Sequence, residues 1–471
     1  MIKGSTKLFG IFGNPIEHTL SPFIHNTLAE IIDEDSVYTA FHVSDEPDKA
    51  AEGAFAMGVE GLNITVPFKQ DIMKSLVDID RTAEAIGAVN TLVRAENGYK
   101  GYNTDVYGIK RALDEFLDIS EHDAVILGAG GAARAVVYMC MESGCAKVYI
   151  VNRTIEKAKA LADEMNRKFS AMTSTSDSAS AMTSTSVAVP VAVSDISTID
   201  SEQFVLIQCT SLGLKPGDGL LVDDDSFYEK AAFGYDLIYN PKETPFTKKL
   251  AEIGIAGDNG LSMLLYQAVK SHELWTGREI PEEAVRKTYA ALRKKVYGDN
   301  IVLTGFMGSG KSSVGRELAA ITGMQFLDMD AEIVRETGLS INEIFSKYGE
   351  EEFRKLEHNM LVSFSDELYG TIVSTGGGVV VREDNIPYLK ELGKVVYLDA
   401  SDETVYERVK DDTGRPLLKD CDRETALKRI ADLKSGRLVK YGRALDICIS
   451  TDDKSASDIA REIVSRIQSL T

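Results

Sequence analysis

The sequence predicts an α/β protein with parallel sheets, and three observations carry that reading. Short apolar runs alternate with turns or helical stretches almost throughout: KLFGIFG, AVILGAG, KVYIVN, FVLIQCT, NIVLTGF, GTIVSTGGG, KVVYLDA. One run leads into G-x-G-x-x-A, and another leads into G-x-x-x-x-G-K-S. At roughly 150 residues per domain, 471 residues make two or three domains.

Composition sets the class. Hydrophobic residues at 44% and charged residues at 27% are globular values, and no apolar run approaches the ~18 residues of a membrane span. The amino terminus MIKGSTKLFGIFGNP places glycines and a proline where a signal peptide needs an apolar stretch, so a cytoplasmic protein without membrane partners is expected. The 52 basic against 73 acidic residues give a net charge of -21, which repels a phosphate backbone and argues against nucleic acid. Cys140, Cys145, Cys209, Cys421 and Cys448 contain no CxxC and read as reduced core thiols. The six histidines show no HxxxH or HExxH, so no metal beyond nucleotide Mg²⁺ is expected.

From the amino terminus, four segments precede the first glycine motif. FGNPIEHTLSPFIHN carries Thr19 and Ser21, NITVPFK carries Thr65 and Lys69, GAVNT carries Asn90, and GYNTD carries Asp105. Taken singly, Lys69 reads as a solvated lysine and Asp105 as a cap on the helix VYGIKRALDEF. Then GAGGAA follows the strand AVIL and opens the helical RAVVYMCMESG, so Gly128, Ala129, Gly130, Gly131, Ala132 and Ala133 form a dinucleotide turn. The next strand ends in Asn152, Arg153 and Thr154, without the Asp or Glu that binds an NAD ribose. Arg153, with Lys157 one turn on, can pair with a 2′-phosphate, which favours NADP. Residues 170–186, SAMTSTSDSASAMTSTS, contain AMTSTS twice and read as a low-complexity insert, a disordered loop or local duplication. YDLIYNPKETPF and GLSMLLYQA follow.

These segments together resemble shikimate dehydrogenase over residues 1 to about 290. The resemblance implies a substrate-binding domain over 1–105, completed by helices of about 260–297, and a Rossmann-like NADP domain over 106–259. It implies Lys69 and Asp105 as the catalytic pair, with Thr19, Ser21, Thr65, Asn90, Tyr239 and Gln267 holding the shikimate skeleton. Gly128 to Arg134 and Asn152 to Lys157 would hold NADP, with Leu237 and Gly260 near the nicotinamide. A lysine beside a carbonyl can donate the proton while NADPH delivers hydride. Thr19 stands in place of a common serine, Gln208 and Cys209 where N-x-T-S usually begins, and Asn259 and Ser262 in place of Asp and Gly. None of these removes a group the chemistry requires.

A second boundary is expected near Tyr297 to Asn300, where a basic helix ends and a domain spanning 299–471 begins. Gly305 to Ser312 fits the phosphate loop, after an apolar strand and before the helix KSSVGRELAAITG. Backbone N–H groups around Gly308, Ser309, Gly310, Ser312 and Ser313 would cradle the phosphates of ATP, with Lys311 reaching the terminal ones and Ser312 supplying a Mg²⁺ ligand. FLDMD places Asp328 and Asp330 on one face of a strand end, where a carboxylate can hold Mg²⁺ through water or orient an attacking hydroxyl. EEEFRKLE carries Arg354, STGGGVV carries Gly377, and DDTGRPLL carries Arg415.

With Arg437 and Tyr441 spaced as Arg-x-x-x-Tyr, this segment resembles shikimate kinase over essentially all of 299–471. The resemblance implies that Asp330 acts at the attacking hydroxyl and Asp328 helps hold Mg²⁺. It also implies that Arg354, Arg437 and the backbone near Gly377 grip shikimate, that Arg415 closes over the phosphates, and that Arg408 lies near the adenine. Val439 stands where the family often has Pro. The combined expectation is a bifunctional shikimate-pathway enzyme using NADP(H), ATP and Mg²⁺, a monomer or homodimer whose partners are small molecules. The rival readings are a catabolic quinate/shikimate dehydrogenase fused to a kinase, and a regulator built from inactive copies. Arg153 argues against the first; Lys69, Asp105, Lys311, Asp330 and Arg354 argue against the second.

Overall fold

The computed structural model describes residues 2–175, 186–410 and 422–469. The chain forms two compact units, Met1–Leu292 and Arg293–Thr471. The division falls inside the helix Glu282–Tyr297, whose last turn is thus counted with the second unit.

The first unit holds two sheets. One is built from β1 (Lys7–Gly13), β2 (Ser36–His42), β3 (Gly61–Ile64), β4 (Asp78–Ile79), β5 (Thr91–Ala95) and β6 (Gly98–Tyr102), in the order β2-β1-β3-β5-β6-β4. It is mixed, because β5 runs antiparallel to both β3 and β6. The helix Leu261–Thr276 returns to this sheet from far along the chain. Its Trp275 donates to the Leu92 carbonyl at 2.9 Å and lies so close to Gly61 that a Cβ there would sit 2.2 Å from the indole nitrogen.

The other sheet comprises β7 (Asp123–Leu127), β8 (Lys147–Asn152), β9 (Val187–Ala192), β10 (Phe204–Gln208), β11 (Ala231–Asp236) and β12 (Gly257–Asn259). All its strands are parallel, in the order β12-β11-β10-β7-β8-β9. That is the doubly wound dinucleotide arrangement, with the order reversing between β7 and β10. Ala124 to Leu127 are wholly buried, as expected of a central strand covered on both faces. The helix Ile155–Thr175 extends into the repeat-containing segment, so its first residues are helical and not loop, while 176–185 lie outside the described residues.

The second unit has one parallel sheet of β13 (Asn300–Thr304), β14 (Gln325–Asp328), β15 (Thr371–Ser374), β16 (Gly393–Asp399) and β17 (Ile447–Ser450), ordered β14-β15-β13-β16-β17. The phosphate loop leaves the end of the central strand. Cys448 is exposed, correcting its reading as a core thiol: β17 is an edge strand whose residues alternate buried and exposed. Cys140 and Cys145 are buried, and Cys421 lies outside the described residues. No helix among the described residues is long and apolar enough to cross a membrane.

Candidate active sites

In the first unit a cleft of about 980 Å³ gathers residues from both sheets. Thr19, Ser21, Thr65, Lys69, Asn90, Asp105, Tyr239 and Gln267 all line it. Lys69 follows β3, and Asp105 is the first residue of the helix Asp105–Asp114, so its carboxylate leaves the helix start toward the lysine. Lys69 Nζ donates to Asp105 Oδ2 at 2.7 Å. The other carboxylate oxygen accepts from Asn90 Nδ2 at 2.9 Å, and the Asp105 N–H donates to Asn103 Oδ1 at 3.1 Å. The pair is therefore held from both carboxylate oxygens and the backbone. Thr19 and Ser21, also in the lining, place their hydroxyls 3.2 Å apart, two neutral donors suited to a carboxylate.

Asn63 also lines this cleft, and the sequence reading did not single it out. It is buried in β3 between Leu62 and Ile64, with its amide donating to Thr91 and Ser271 and accepting from the Tyr38 hydroxyl at 2.7 Å. A lone polar residue inside an apolar run is the signal that could have found it, since a buried amide needs partners. His25 stacks on Tyr38 with ring centroids 4.2 Å apart; burial holds its imidazole well below the usual histidine range. His18 lines the cleft.

The lining of the cleft also includes Ala129, Gly130, Gly131, Ala132, Lys157, Leu237 and Gly260. Gly128 makes the turn out of β7 at φ +113°, a conformation that L side chains rarely adopt. Gly130 caps the helix Gly131–Glu142 without a side-chain hydrogen bond, and a Cβ on Gly130 or Gly131 would meet nothing within 4 Å. The helix start thus presents free N–H groups to open space, which fits a pyrophosphate. Gly260 lies against Leu237, where a Cβ would come within 2.2 Å of the Leu237 carbonyl oxygen. Asn152, Arg153 and Thr154 do not line the cleft; Arg153 is exposed just beyond β8. Behind Leu237, Asp236 is fully buried, accepting from the Ile238 N–H at 3.0 Å and the Thr244 hydroxyl at 2.6 Å, and burial pushes its carboxyl up to about 6.

In the second unit a cavity of about 510 Å³ is lined by Gly308, Ser309, Gly310, Lys311, Ser312, Ser313, Asp330, Gly377 and Arg408. Gly310, at φ +92°, caps the helix Lys311–Thr322 without a side-chain bond, repeating the open helix start of the first unit. Lys311 Nζ donates to the carbonyls of Gly305 and Phe306 at 2.9 and 3.1 Å. The Ser312 hydroxyl donates to Asp328 Oδ2 at 2.5 Å, while Asp328 Oδ1 caps the helix carrying Asp330. A hydroxyl and a carboxylate in contact are hard oxygen donors of the kind Mg²⁺ takes. Among the described residues no three His, Cys, Asp or Glu side chains converge as a metal cage. Arg408 donates to the Gly308 carbonyl at 3.2 Å and to the Thr451 carbonyl at 3.0 Å. Arg415 lies outside the described residues.

Asp328, Arg354 and Arg437 do not line that cavity. Arg354 and Arg437 instead converge beside it on the glycine turn: Arg437 donates to the Gly377 carbonyl at 3.0 Å, as does the Tyr441 hydroxyl at 2.7 Å. A Cβ on Gly378 would come within 2.3 Å of the Arg354 guanidinium, so only glycine allows that approach. Between them sits Glu357, wholly buried and bonded to Arg354 at 2.9 Å. Burial pushes its carboxyl up to about 7 despite the arginine. The sequence reading missed Glu357, because a glutamate in a charged helix looks solvated.

Known proteins match both units. Family models for the shikimate dehydrogenase substrate binding domain, shikimate / quinate 5-dehydrogenase and the shikimate 5′-dehydrogenase C-terminal domain match residues 11–92, 110–208 and 260–288. The shikimate kinase model matches residues 307–468. The shikimate dehydrogenase (NADP(+)) of Caldanaerobacter subterraneus is 38% identical over 286 residues, 60% of this chain and 96% of that protein. A crystal structure of a shikimate dehydrogenase in complex with NADP⁺ is 34% identical with a TM-score of 0.53, covering 63% of this chain and 98% of that one. A chorismate mutase/shikimate 5-dehydrogenase fusion protein from Clostridium acetobutylicum is 31% identical with a TM-score of 0.54, covering 62% and 98%. With the dinucleotide sheet, the assembled Lys–Asp pair and the phosphate loop already in place, the chain belongs to the shikimate dehydrogenase family and carries a shikimate kinase domain, a bifunctional enzyme of the shikimate pathway.

Proposed function

We propose that the first unit reduces 3-dehydroshikimate to shikimate with NADPH and that the second phosphorylates shikimate to shikimate 3-phosphate with ATP and Mg²⁺. The observation that carries this reading is the 2.7 Å Lys69–Asp105 contact in a cleft that also holds the open Gly130 helix start. NADPH supplies the hydride to the carbonyl carbon. Lys69 Nζ gives a proton to the carbonyl oxygen, and Asp105, held by Asn90, keeps the ammonium oriented. Thr19, Ser21, Thr65, Tyr239 and Gln267 bind the carboxylate and hydroxyls. Lys157 and the exposed Arg153 meet the 2′-phosphate of NADP.

In the second unit ATP supplies the phosphoryl group. Asp330 orients the attacking hydroxyl, Arg354 and Arg437 take the shikimate carboxylate in guanidinium forks, and Gly377 frames it. Lys311 would pair with the phosphates and Arg408 would lie near the adenine. Ser312, with Asp328 through water, would hold Mg²⁺. The reading places the enzyme in the cytoplasm, where both nucleotides are supplied, with small molecules as its partners. A coupled assay tests it: 3-dehydroshikimate should drive NADPH oxidation, and shikimate should drive ATP turnover in the same preparation. Quinate oxidised with NAD as fast as shikimate with NADP would replace the biosynthetic reading by a catabolic one.

A further inference from the structure

The hydrogen-bonded network behind the Lys69–Asp105 pair ends on a residue to which no role above is given. Ser271, on the helix Leu261–Thr276, is completely buried. Its hydroxyl lies 2.8 Å from Thr91 Oγ1, 3.0 Å from Asn63 Nδ2, 3.2 Å from Thr104 Oγ1 and 2.9 Å from the Gln267 carbonyl oxygen. A hydroxyl has one proton and two lone pairs, so these neighbours constrain which way each proton points. Asn63 Nδ2 can only donate. The Gln267 carbonyl keeps a second lone pair beside the helical N–H, so it and Thr91 Oγ1 are the two acceptors within reach of the serine proton. When it turns to Thr91, 2.8 Å away, Thr91 gives its own proton to Asn90 Oδ1 at 2.9 Å.

Asn90 stands one bond from the catalytic pair. Its Oδ1 also accepts from the backbone N–H of Thr104 at 2.8 Å, and its Nδ2 therefore faces Asp105 Oδ1 at 2.9 Å. An amide turned by half a revolution would set oxygen against carboxylate and N–H against N–H. Every member of this chain other than the Lys69–Asp105 pair itself is buried, where an unmet donor is costly and a fully met network fixes one geometry. On the far side the Tyr38 hydroxyl pins Asn63 Oδ1 at 2.7 Å. We propose that Ser271 is a positioning residue for the dehydrogenase reaction, acting through Thr91 and Asn90 to hold Asp105 Oδ1 and leave Oδ2 for Lys69. The proposal rests on the reading of Lys69 and Asp105 as the proton-transfer pair.

The test is a mutant cycle in the full-length chain, with kcat and the KM for NADPH measured at saturating 3-dehydroshikimate. Ser271→Ala should lower kcat about 10-fold, the scale of a coupled neighbour, and leave KM for NADPH unchanged. In an Asn90→Ala background it should lower kcat no further, because the residue it acts through is gone. Thr91→Val, which keeps the shape and removes the hydroxyl, should reproduce the loss and likewise fail to add to Asn90→Ala; it decides the matter should Ser271→Ala not fold. Losses that multiply in the double variants, an unchanged kcat in Ser271→Ala, or a parallel rise in KM for NADPH would each overturn the proposal. Lys69→Ala run alongside separates the two readings. Its full activity would overturn the assignment of the pair and the proposal with it, whereas its inactivity beside a fully active Ser271→Ala would overturn the proposal alone.

Discussion

The two sites hold their charged groups in opposite ways. In the dehydrogenase cleft Lys69 and Asp105 are already in contact, 2.7 Å apart, and the carboxylate is backed by a buried amide and hydroxyl network. In the kinase loop Lys311 is turned onto the carbonyls of its own loop, and Ser312 onto Asp328. The difference follows from what each reaction brings. A neutral carbonyl offers no charge to assemble a proton donor, so the donor must be fixed beforehand. A nucleotide brings its own negative charge, so a lysine satisfied by loop carbonyls can be recruited when the phosphates arrive, and an open helix start waits for them. On the proposed reading, one site is held by the buried network behind Asp105 and the other recruits Lys311 when a nucleotide binds.

The largest expected effect separates the two outright. Lys69→Ala should cut 3-dehydroshikimate reduction by about 10²- to 10⁴-fold, the usual contribution of a positioned proton donor, and leave the kinase rate intact. Asp330→Asn should do the reverse. Both rates measured on one preparation check this, and a variant that lowers them equally would show that the two sites are not independent.

A second contrast lies in the buried carboxylates, one in each unit. Burial pushes Glu357 from 4.5 to about 7 and Asp236 from 3.8 to about 6. A carboxyl that holds its proton more tightly when folded binds more protons in the folded state than in the unfolded one, so its contribution is complete below the unfolded value and is lost as pH rises through the folded one. Asp236 should therefore weaken the dehydrogenase unit between about pH 4 and 6, and Glu357 the kinase unit between about pH 4.5 and 7. Glu357→Gln should flatten the fall in kinase-unit melting temperature over that window without changing the dehydrogenase transition. Scanning calorimetry across the range checks it, and equal slopes in variant and parent would show that the carboxyl ionises as freely folded as unfolded.

What could be read from the sequence divides along the same line. The turns at Gly128 and Gly310 were legible because a strand, a left-handed glycine and an uncapped helix start are local necessities of phosphate binding. Lys69, Asp105, Arg354 and Arg437 were singled out through motifs, and the structure brings Lys69 onto Asp105 and Arg437 onto the Gly377 carbonyl. Asn63, Ser271 and Glu357 were not, because their importance comes from burial by distant elements: Ser271 meets Asn63 across 208 positions of chain. The antiparallel placement of β5 was hidden for a related reason, since strand direction depends on which partner a run finds and not on its own pattern. The helical start of the AMTSTS segment shows composition overridden by continuation of the helix Ile155–Thr175.

A smaller effect sharpens the cofactor side. Lys157 lines the cleft and Arg153 stands exposed just beyond β8, and the proposed reading gives both cations to a 2′-phosphate. Arg153→Ala should weaken NADP binding by roughly 1.5 to 3 kcal/mol, the range for a charged hydrogen bond, and leave NAD almost unchanged. Titration with the two cofactors checks it. Equal loss for both would mean that Arg153 holds the loop and not the phosphate.

The smallest effect compares two helix caps of the same design. Thr244 and Ser340 each close a capping box, Thr244 over Pro245–Glu252 and Ser340 over Ile341–Tyr348. Ser340 is exposed and its hydroxyl serves only Glu343, so Ser340→Ala should cost the kinase unit about 1 kcal/mol and leave its kinetic constants alone. Thr244 is buried, and besides capping it donates to Asp236 at 2.6 Å, closing the segment that carries Leu237 and Tyr239 into the cleft. Thr244→Ala should cost the dehydrogenase unit about 2 kcal/mol, because a buried carboxylate loses its hydroxyl partner as well as the helix its cap, and KM for NADPH should rise. Urea unfolding and steady-state kinetics of the two variants decide it. A Thr244→Ala enzyme with unchanged KM would mean that the segment keeps its place through Ile238 and Tyr239 alone, and that the preorganisation of this cleft stops at the catalytic pair.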